Sequence, residues 1–371
     1  MNTMNRPKVT VIIVAYNAEG MKNIFKECLD STLNLKYDNY EAIIVNNGST
    51  DRTREILEDY EKDLKIINLK KNVGFAGGNN IAYENSKSEF VLLLNSDAIP
   101  EQDSLKELIK IGINNKIGAI GGIQVDYKRK KITALGTLCD IYGNGITVDD
   151  IPSVDEIKES YYSQIPASFI LVKRKTIGKT LFPKEFFTAV EDYELCFRIW
   201  SSGYYVKLFP MVVCRHEFQT SVKSASDADK DLNKTLSYSY AKNSALLTTI
   251  YKKVWPKVFL QHWLAMILYQ PLIEIIHFPR YLLYESNYNF PGAYYPLVSF
   301  TYLKYYMKNI STINDYGCYI PLSLRIKGSS KSLFHPTKRI LNQTIIKLDY
   351  EKTIVNDQDI NTSTRKFIIT R

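Results

Sequence analysis

Two hydrophobic periods alternate along the first 120 residues. KVTVIIVAYN, residues 8–17, is apolar and β-branched, the pattern of a buried strand. MKNIFKECLDSTL then places Met21, Ile24, Phe25, Cys28 and Leu29 at helical spacing. YEAIIVNNGSTD predicts a second strand ending in a turn, and DRTREILEDYEK a helix with Asp51 at its N-cap. LKIINLK predicts a third strand, and NVGFAGGNNIAYENSK a glycine-rich turn entering a helix. FVLLLNSD predicts a fourth strand and EQDSLKELIKIGIN another helix. Strands and helices alternating in this order predict a Rossmann-like α/β fold, a mostly parallel sheet flanked by helices.

Three of these strands end in polar clusters. The first ends at Tyr16-Asn17, the second at Asn46-Asn47-Gly48-Ser49-Thr50-Asp51, the fourth at Asn95-Ser96-Asp97. Taken singly, each is a turn, since Asn, Ser and Asp are turn residues. In a parallel sheet, however, all three share one edge, where open α/β sheets bind ligands. Their convergence points to a nucleotide site.

The pattern changes past Ile120. GAIGGIQVDYKRKKITALGT predicts hairpin-like strands, and Ala167–Val172 a further apolar strand. EDYELCFRIWSSGY predicts a helix with Leu195, Ile199 and Trp200 on one side and Gly203 at its C-cap. From Leu236 the chain reads as helical and very aromatic; residues 331–371 read as a polar tail, with NDQDINTSTR the piece expected to be disordered. The expected division is a nucleotide-binding domain over 1–235, a helical, membrane-associating region over 236–330, and the tail.

Composition changes this picture in two ways. Five scattered cysteines without a C-x-x-C pair argue against a disulfide framework or a zinc site and suit a reducing, cytoplasmic compartment. The short apolar run at the N-terminus, with no small-residue cleavage site after it, reads as a strand and not a signal peptide. Charge is the second. The net charge is +9, and Ile250–Arg371 carry 16 basic against 7 acidic residues, leaving the front balanced at 32 of each. A basic, Tyr- and Trp-rich rear suits the inner face of an anionic membrane. Residues 258–278 are long enough to span a bilayer, but a span would bury Glu274. An interfacial or re-entrant helix is the first reading, a core helix the second and a span the third.

VIIVAYN, VNNGSTD, NVGFAGGNN, LLLNSD, EDYELCFRIWSSGY and HEFQTS, in this order, resemble glycosyltransferase family two, the inverting nucleotide-sugar transferases of GT-A fold, and within them the rhamnosyltransferase-like members. The resemblance covers Lys8 to Asn243. It implies a nucleotide-sugar donor, a glycan or lipid-linked acceptor, and a divalent cation, Mg2+ or Mn2+. Asp97 is the expected metal ligand, since such cations take oxygen ligands, and His216 is expected to join the metal or the diphosphate. Asp192 is the expected catalytic base, with Glu191 in reserve. Tyr16, Asn17, Asn46, Asn47, Ser49, Asp51, Gly74, Asn80 and Asn95 are expected on the donor side. Plain alternatives stand beside these roles: turn residues at Asp97, a helix cap at Asp51, a glycine turn at Gly74, and acids placed by the helix dipole at Glu191-Asp192.

The sequence departs from the family pattern at three places. Asn95-Ser96-Asp97 stands where Asp-x-Asp is frequent, Glu194 where Asp is usual, and Asn46 where an acid often meets the nucleobase. Two rival functions remain. A sugar-phosphate nucleotidyltransferase needs a glycine-rich basic signature after the first strand, which AYNAEGMKN lacks. A non-catalytic sugar- or nucleic-acid-binding protein is allowed by the basic rear, but the interleaved acids in front do not suit nucleic acid.

Overall fold

The computed structural model describes residues 6–139, 145–149, 151–216, 220–221, 239 and 346–358. The region expected to be helical and aromatic, with its 258–278 segment, therefore lies outside the described residues apart from Ser239.

The first four predicted strands all form: β1 (Val9–Ala15), β2 (Tyr40–Asn46), β3 (Lys65–Asn68) and β4 (Phe90–Asn95), separated by α1 (Lys22–Leu33), α2 (Thr53–Glu58) and α3 (Gly74–Glu84). They lie in the order β3-β2-β1-β4, every pair parallel. Consecutive residues Val11, Ile12 and Ile13 are all 0% exposed, so β1 is covered on both faces. Such burial contributes about 1.5–3 kcal/mol per large aliphatic side chain, and it explains a run with no polar alternation.

Beyond β4 come β5 (Ala98–Pro100), α4 (Ser104–Gly112), β6 (Ile117–Val125), β7 (Ile132–Ala134), β8 (Leu138–Cys139), β9 (Gly145–Asp149), β10 (Ser160–Tyr161), β11 (Phe169–Lys173), α5 (Glu191–Ser201), β12 (Tyr205–His216) and β13 (Ile346–Asp349). Here the expectation of a mostly parallel sheet holds only in part. Helix α4 carries the chain from the β4 side to β6, two strand positions away. β11 fills the gap, antiparallel to both β4 and β6. The chain from β6 to β11 includes no long helix among the described residues, and a parallel pairing would have required such a crossover. β12 returns parallel to β6 after α5. The ends of β1, β2, β4, β6 and β12 therefore share one edge. The expected hairpin after Ile120 is the antiparallel pair β6–β7.

Two expectations change. The glycines of NVGFAGGNN were expected in a turn, yet Gly77 and Gly78 lie inside α3. A Cβ on Gly78 would approach Val14 Cγ1 to 2.8 Å, so the residue lets α3 pack directly on β1. Only Gly74 keeps the expected turn geometry, at φ 80°. The polar tail also differs. β13 pairs with β9. Beyond it Val355 is fully buried, its N–H donates to Ser160 Oγ (2.8 Å), and the Tyr161 hydroxyl donates to Asp357 (2.6 Å). Asn356, Asp357 and Gln358, the start of the stretch expected to be disordered, are thus part of an ordered attachment at β10, held there because Tyr350 and Val355 are apolar anchors in a polar segment.

Candidate active site

The polar ends of β1 and β2 converge as expected, but they hold each other. Asn17 Oδ1 accepts from the Thr50 N–H (2.9 Å), and Ser49 Oγ accepts from the Asn17 N–H (3.0 Å). Asn46 Nδ2 donates to Asn68 Oδ1 (2.9 Å). Asn47 donates to Asn72 Oδ1 (3.0 Å) and Gly74 O (3.1 Å) while its Oδ1 accepts from Val73 N (3.0 Å). Asp51 lies one residue before Arg52, the N-cap of α2, so the expected cap shifts by one; one Asp51 oxygen accepts from the Thr53 N–H (3.0 Å) and the other takes the Glu19 N–H (2.9 Å). Tyr16 sits half-buried beside this lattice.

Asn80 has a role other than reaching the donor. Its carboxamide forms a two-way bridge with the Phe182 backbone, donating at 2.9 Å and accepting at 2.8 Å. The carboxamide matches a peptide group in both directions, so it pins the loop before α5 to α3. Gly74 does similar work: a Cβ there would collide with the Phe187 carbonyl, which accepts the Ala76 N–H at 3.1 Å.

The tip of β4 differs. Asp97 is fully buried, with one oxygen taking the Ser221 N–H (2.7 Å) and Oδ1 lying 3.3 Å from His216 Nε2 without hydrogen-bond alignment. Antiparallel pairing of β5 with β12 sets His216 opposite Ala98, which brings the two together. Burial pushes the Asp97 carboxyl up, but His216 and the Ser221 amide outweigh it and hold it below the usual aspartate value. His216 Nδ1 lies 3.1 Å from Gln124 Oε1, which orients the ring with Nε2 toward Asp97. An orphaned carboxylate oxygen facing an imidazole nitrogen suits a divalent cation. No group of three or more His, Cys, Asp or Glu gathers among the described residues. Two protein ligands still fit Mg2+ or Mn2+, which keep water and substrate phosphate as their other ligands. Asn95 Oδ1 is a second buried oxygen with no hydrogen-bond partner at this tip.

Glu191 and Asp192 open α5, as predicted, after two non-glycine residues in the left-handed region, Ala189 at φ 69° and Val190 at φ 68°. A β-branched residue there is strained, and such strain concentrates at functional sites. Asp192 Oδ2 accepts from Gln164 Nε2 (2.7 Å) and Oδ1 from the Tyr193 N–H (2.9 Å). Glu191 Oε2 is buried with no hydrogen-bond partner. Burial raises both carboxyls; repulsion from Asp192 adds to Glu191, while amides and Gln164 oppose the rise at Asp192. The two carboxyls therefore titrate together as one pair, both above the ordinary carboxylate range. Glu194, the departure from the family pattern, forms a buried fork with Arg198 at 2.9 and 3.1 Å, and Arg198 ties down the carbonyls of Ile177, Thr180 and Leu181.

Sequence reasoning missed Gln124, Gln164 and Ser221. Gln124 had a signal, a lone carboxamide in the apolar run IGAIGGIQV. Gln164 and Ser221 had none, since each acts through a partner distant in sequence.

Residues 10–145 match the family model described as Glycosyl transferase family 2. An uncharacterized glycosyltransferase of Haemophilus influenzae is 29% identical over 184 residues, 48% of this chain and 68% of that protein. The glycosyltransferase GlyA of Streptococcus pneumoniae is 36% identical over 105 residues, but this match covers only 28% of the chain and 15% of the relative. Among solved structures, the mannosyltransferase PcManGT from Pyrobaculum calidifontis, in complex with GDP-Man and Mn2+, aligns at 16% identity and TM-score 0.46, covering 99% of this chain and 89% of that one. The fold is an α/β domain, a mixed sheet flanked by helices. Over residues 10–145 the chain is similar to glycosyltransferase family 2. The matched residues include Asp97 but neither Asp192 nor His216.

Proposed function

We propose that this chain is an inverting glycosyltransferase, moving a sugar from a nucleotide-sugar donor to a glycan or lipid-linked acceptor. The observation that carries the reading is the presence, on a domain that matches the family 2 model, of a buried Asp97–His216 couple at 3.3 Å together with the acid pair Glu191-Asp192, which follows the strained Ala189 and Val190. Asp97 and His216 would hold the cation, which would neutralise charge on the departing diphosphate. Asp192 takes the proton of the acceptor hydroxyl as that oxygen attacks the anomeric carbon from the face opposite the leaving group. One displacement inverts the centre once.

A rhamnosyl-type donor is the finer reading, supported by the resemblance of the motifs alone. Peripheral attachment to an anionic membrane on its inner face is likewise supported by the basic, aromatic rear. Among the described residues no helix is long and apolar enough to cross a membrane.

The test is a screen of nucleotide sugars for release of nucleoside diphosphate, with and without manganese. Release with one donor, its loss in Asp97→Ala and an inverted product support the reading. Retention of configuration, or full activity of Asp97→Ala in chelator, overturns it.

A further inference from the structure

Residues 162–165 run alongside α5 and are tied to it three times. Trp200 Nε1 donates to Tyr162 O (3.0 Å), Cys196 Sγ to Ile165 O (4.0 Å), and Gln164 Nε2 to Asp192 Oδ2 (2.7 Å). Gln164 itself cannot drift. It is 2% exposed, and its backbone is bridged in both directions to Thr137, at 2.8 and 3.0 Å. The first two ties fix the stretch along the helix; the third delivers a charge-neutral donor to one oxygen of the acid at the helix start. Of the side-chain donors among the described residues, Gln164 is the one hydrogen-bonded to Asp192.

We propose that Gln164 is the positioning residue of the base: its carboxamide, carried on a backbone held by the Thr137 bridge, fixes the Asp192 carboxylate at the start of α5. This rests on the reading of Asp192 as base for its kinetic consequence, not for its effect on the carboxyl itself. A neutral donor on a buried carboxylate favours the charged form without adding a cation that would compete with the acceptor. The ionisable groups around Asp192 are Glu191 and Cys196 on its own helix, with Glu194 neutralised by Arg198. Stretch 162–165 brings Tyr162, and β12, packed on α5, carries Lys207, paired with Glu159, as well as Arg215, Cys214 and His216. Burial raises the Asp192 carboxyl, and Gln164 is among the groups that oppose that rise.

The test follows the carboxyl directly, using full-length protein labelled with 13C at aspartate Cγ and Asp192→Asn to assign the signal. In Gln164→Met, of similar volume, the Asp192 titration should move up by about one pH unit. Nucleoside diphosphate release should fall about tenfold below the new midpoint and recover as pH rises past it, with the melting temperature kept. Where the methionine variant does not fold, Gln164→Glu keeps the length, replaces the donor by an acceptor, and should move the titration further up. An unmoved titration in a folded variant, or a loss of release equal at every pH, overturns the proposal. A moved titration in a protein whose Asp192→Asn form keeps full turnover leaves Gln164 in its role and removes Asp192 from catalysis.

Discussion

The two halves of the sheet edge use the same residue types to opposite ends. On the β1–β2–β3 side, Asn17, Asn46, Asn47, Ser49 and Asp51 bond to each other and to neighbouring backbone. On the β4–β6–β12–α5 side, Asn95 Oδ1, Asp97 Oδ1, Gln124 Nε2 and Glu191 Oε2 are buried without hydrogen-bond partners. A buried polar group left unmatched costs about 1–3 kcal/mol. Such a cost is tolerated where a ligand completes the site. The first half is a frame, and the second half is where chemistry is expected.

The widest separation between the halves should appear at Asp192. Asp192→Asn removes the base but keeps the shape, so turnover should fall by about 10²–10⁴, with donor affinity and melting temperature nearly kept. Steady-state kinetics beside a donor-binding titration checks it. A loss of donor affinity equal to the loss of turnover would place Asp192 in the donor frame and collapse the distinction.

The second half also depends on the distant chain end. Val355 and Tyr350 are 0% and 4% exposed against the β10 side, whereas the β1–β2–β3 side makes no such use of the tail among the described residues. Deleting residues 346–371 removes both anchors and should cost about 3–5 kcal/mol. Hydrogen exchange should rise first in β10 and β12 and last in β1 and β2. Uniform acceleration across the sheet would show that the halves do not differ in this respect.

How far the sequence was legible follows the same division. Strands β1, β2 and β4 were readable because burial on both faces leaves unbroken apolar runs. The convergence of Asn17, Asn47 and Asp97 followed from parallel topology alone. What the sequence did not disclose was the partner of each polar group. Asn80 and Gln164 are both carboxamides, yet one bonds Phe182 backbone and the other Asp192 across 28 positions. The antiparallel insertion of β11 was hidden for a similar reason: strand direction depends on the path between strands, and periodicity does not record it.

Two neighbouring asparagines offer a finer test of the frame. Asn46 donates to Asn68, whose exposed carboxamide can turn over and become the donor, so Asn46→Asp should leave stability within about 0.5 kcal/mol. Asn47 donates to the Gly74 carbonyl, which cannot turn over, and Asn47→Asp should cost about 1–3 kcal/mol. Thermal unfolding of the two variants checks the ranking. Equal melting temperatures would mean that Asn47 is not a structural member of the frame.

The smallest effect concerns Glu191, and its sign separates a functional acid from a structural one. Burial, with repulsion from Asp192 added, raises its carboxyl above the ordinary value of 4.5. Between that value and the raised one, the folded chain binds a proton that the unfolded chain has released. Unfolding is then favoured as pH rises through the window, so Glu191 contributes a loss of stability toward alkaline pH. Glu191→Gln removes the titration. Its melting temperature should match the wild type near pH 4 and exceed it by roughly 2–4 °C above pH 8, the shift expected for about 1 kcal/mol in a domain of this size. A structural carboxylate, paired and stabilising, would give the opposite sign: Glu191→Gln would melt lower at every pH above 5. Turnover should fall less than in Asp192→Asn, because the carboxamide keeps the shape of a side chain that is not the proposed base. A frame residue would lose stability on substitution, and Glu191 is expected to gain it.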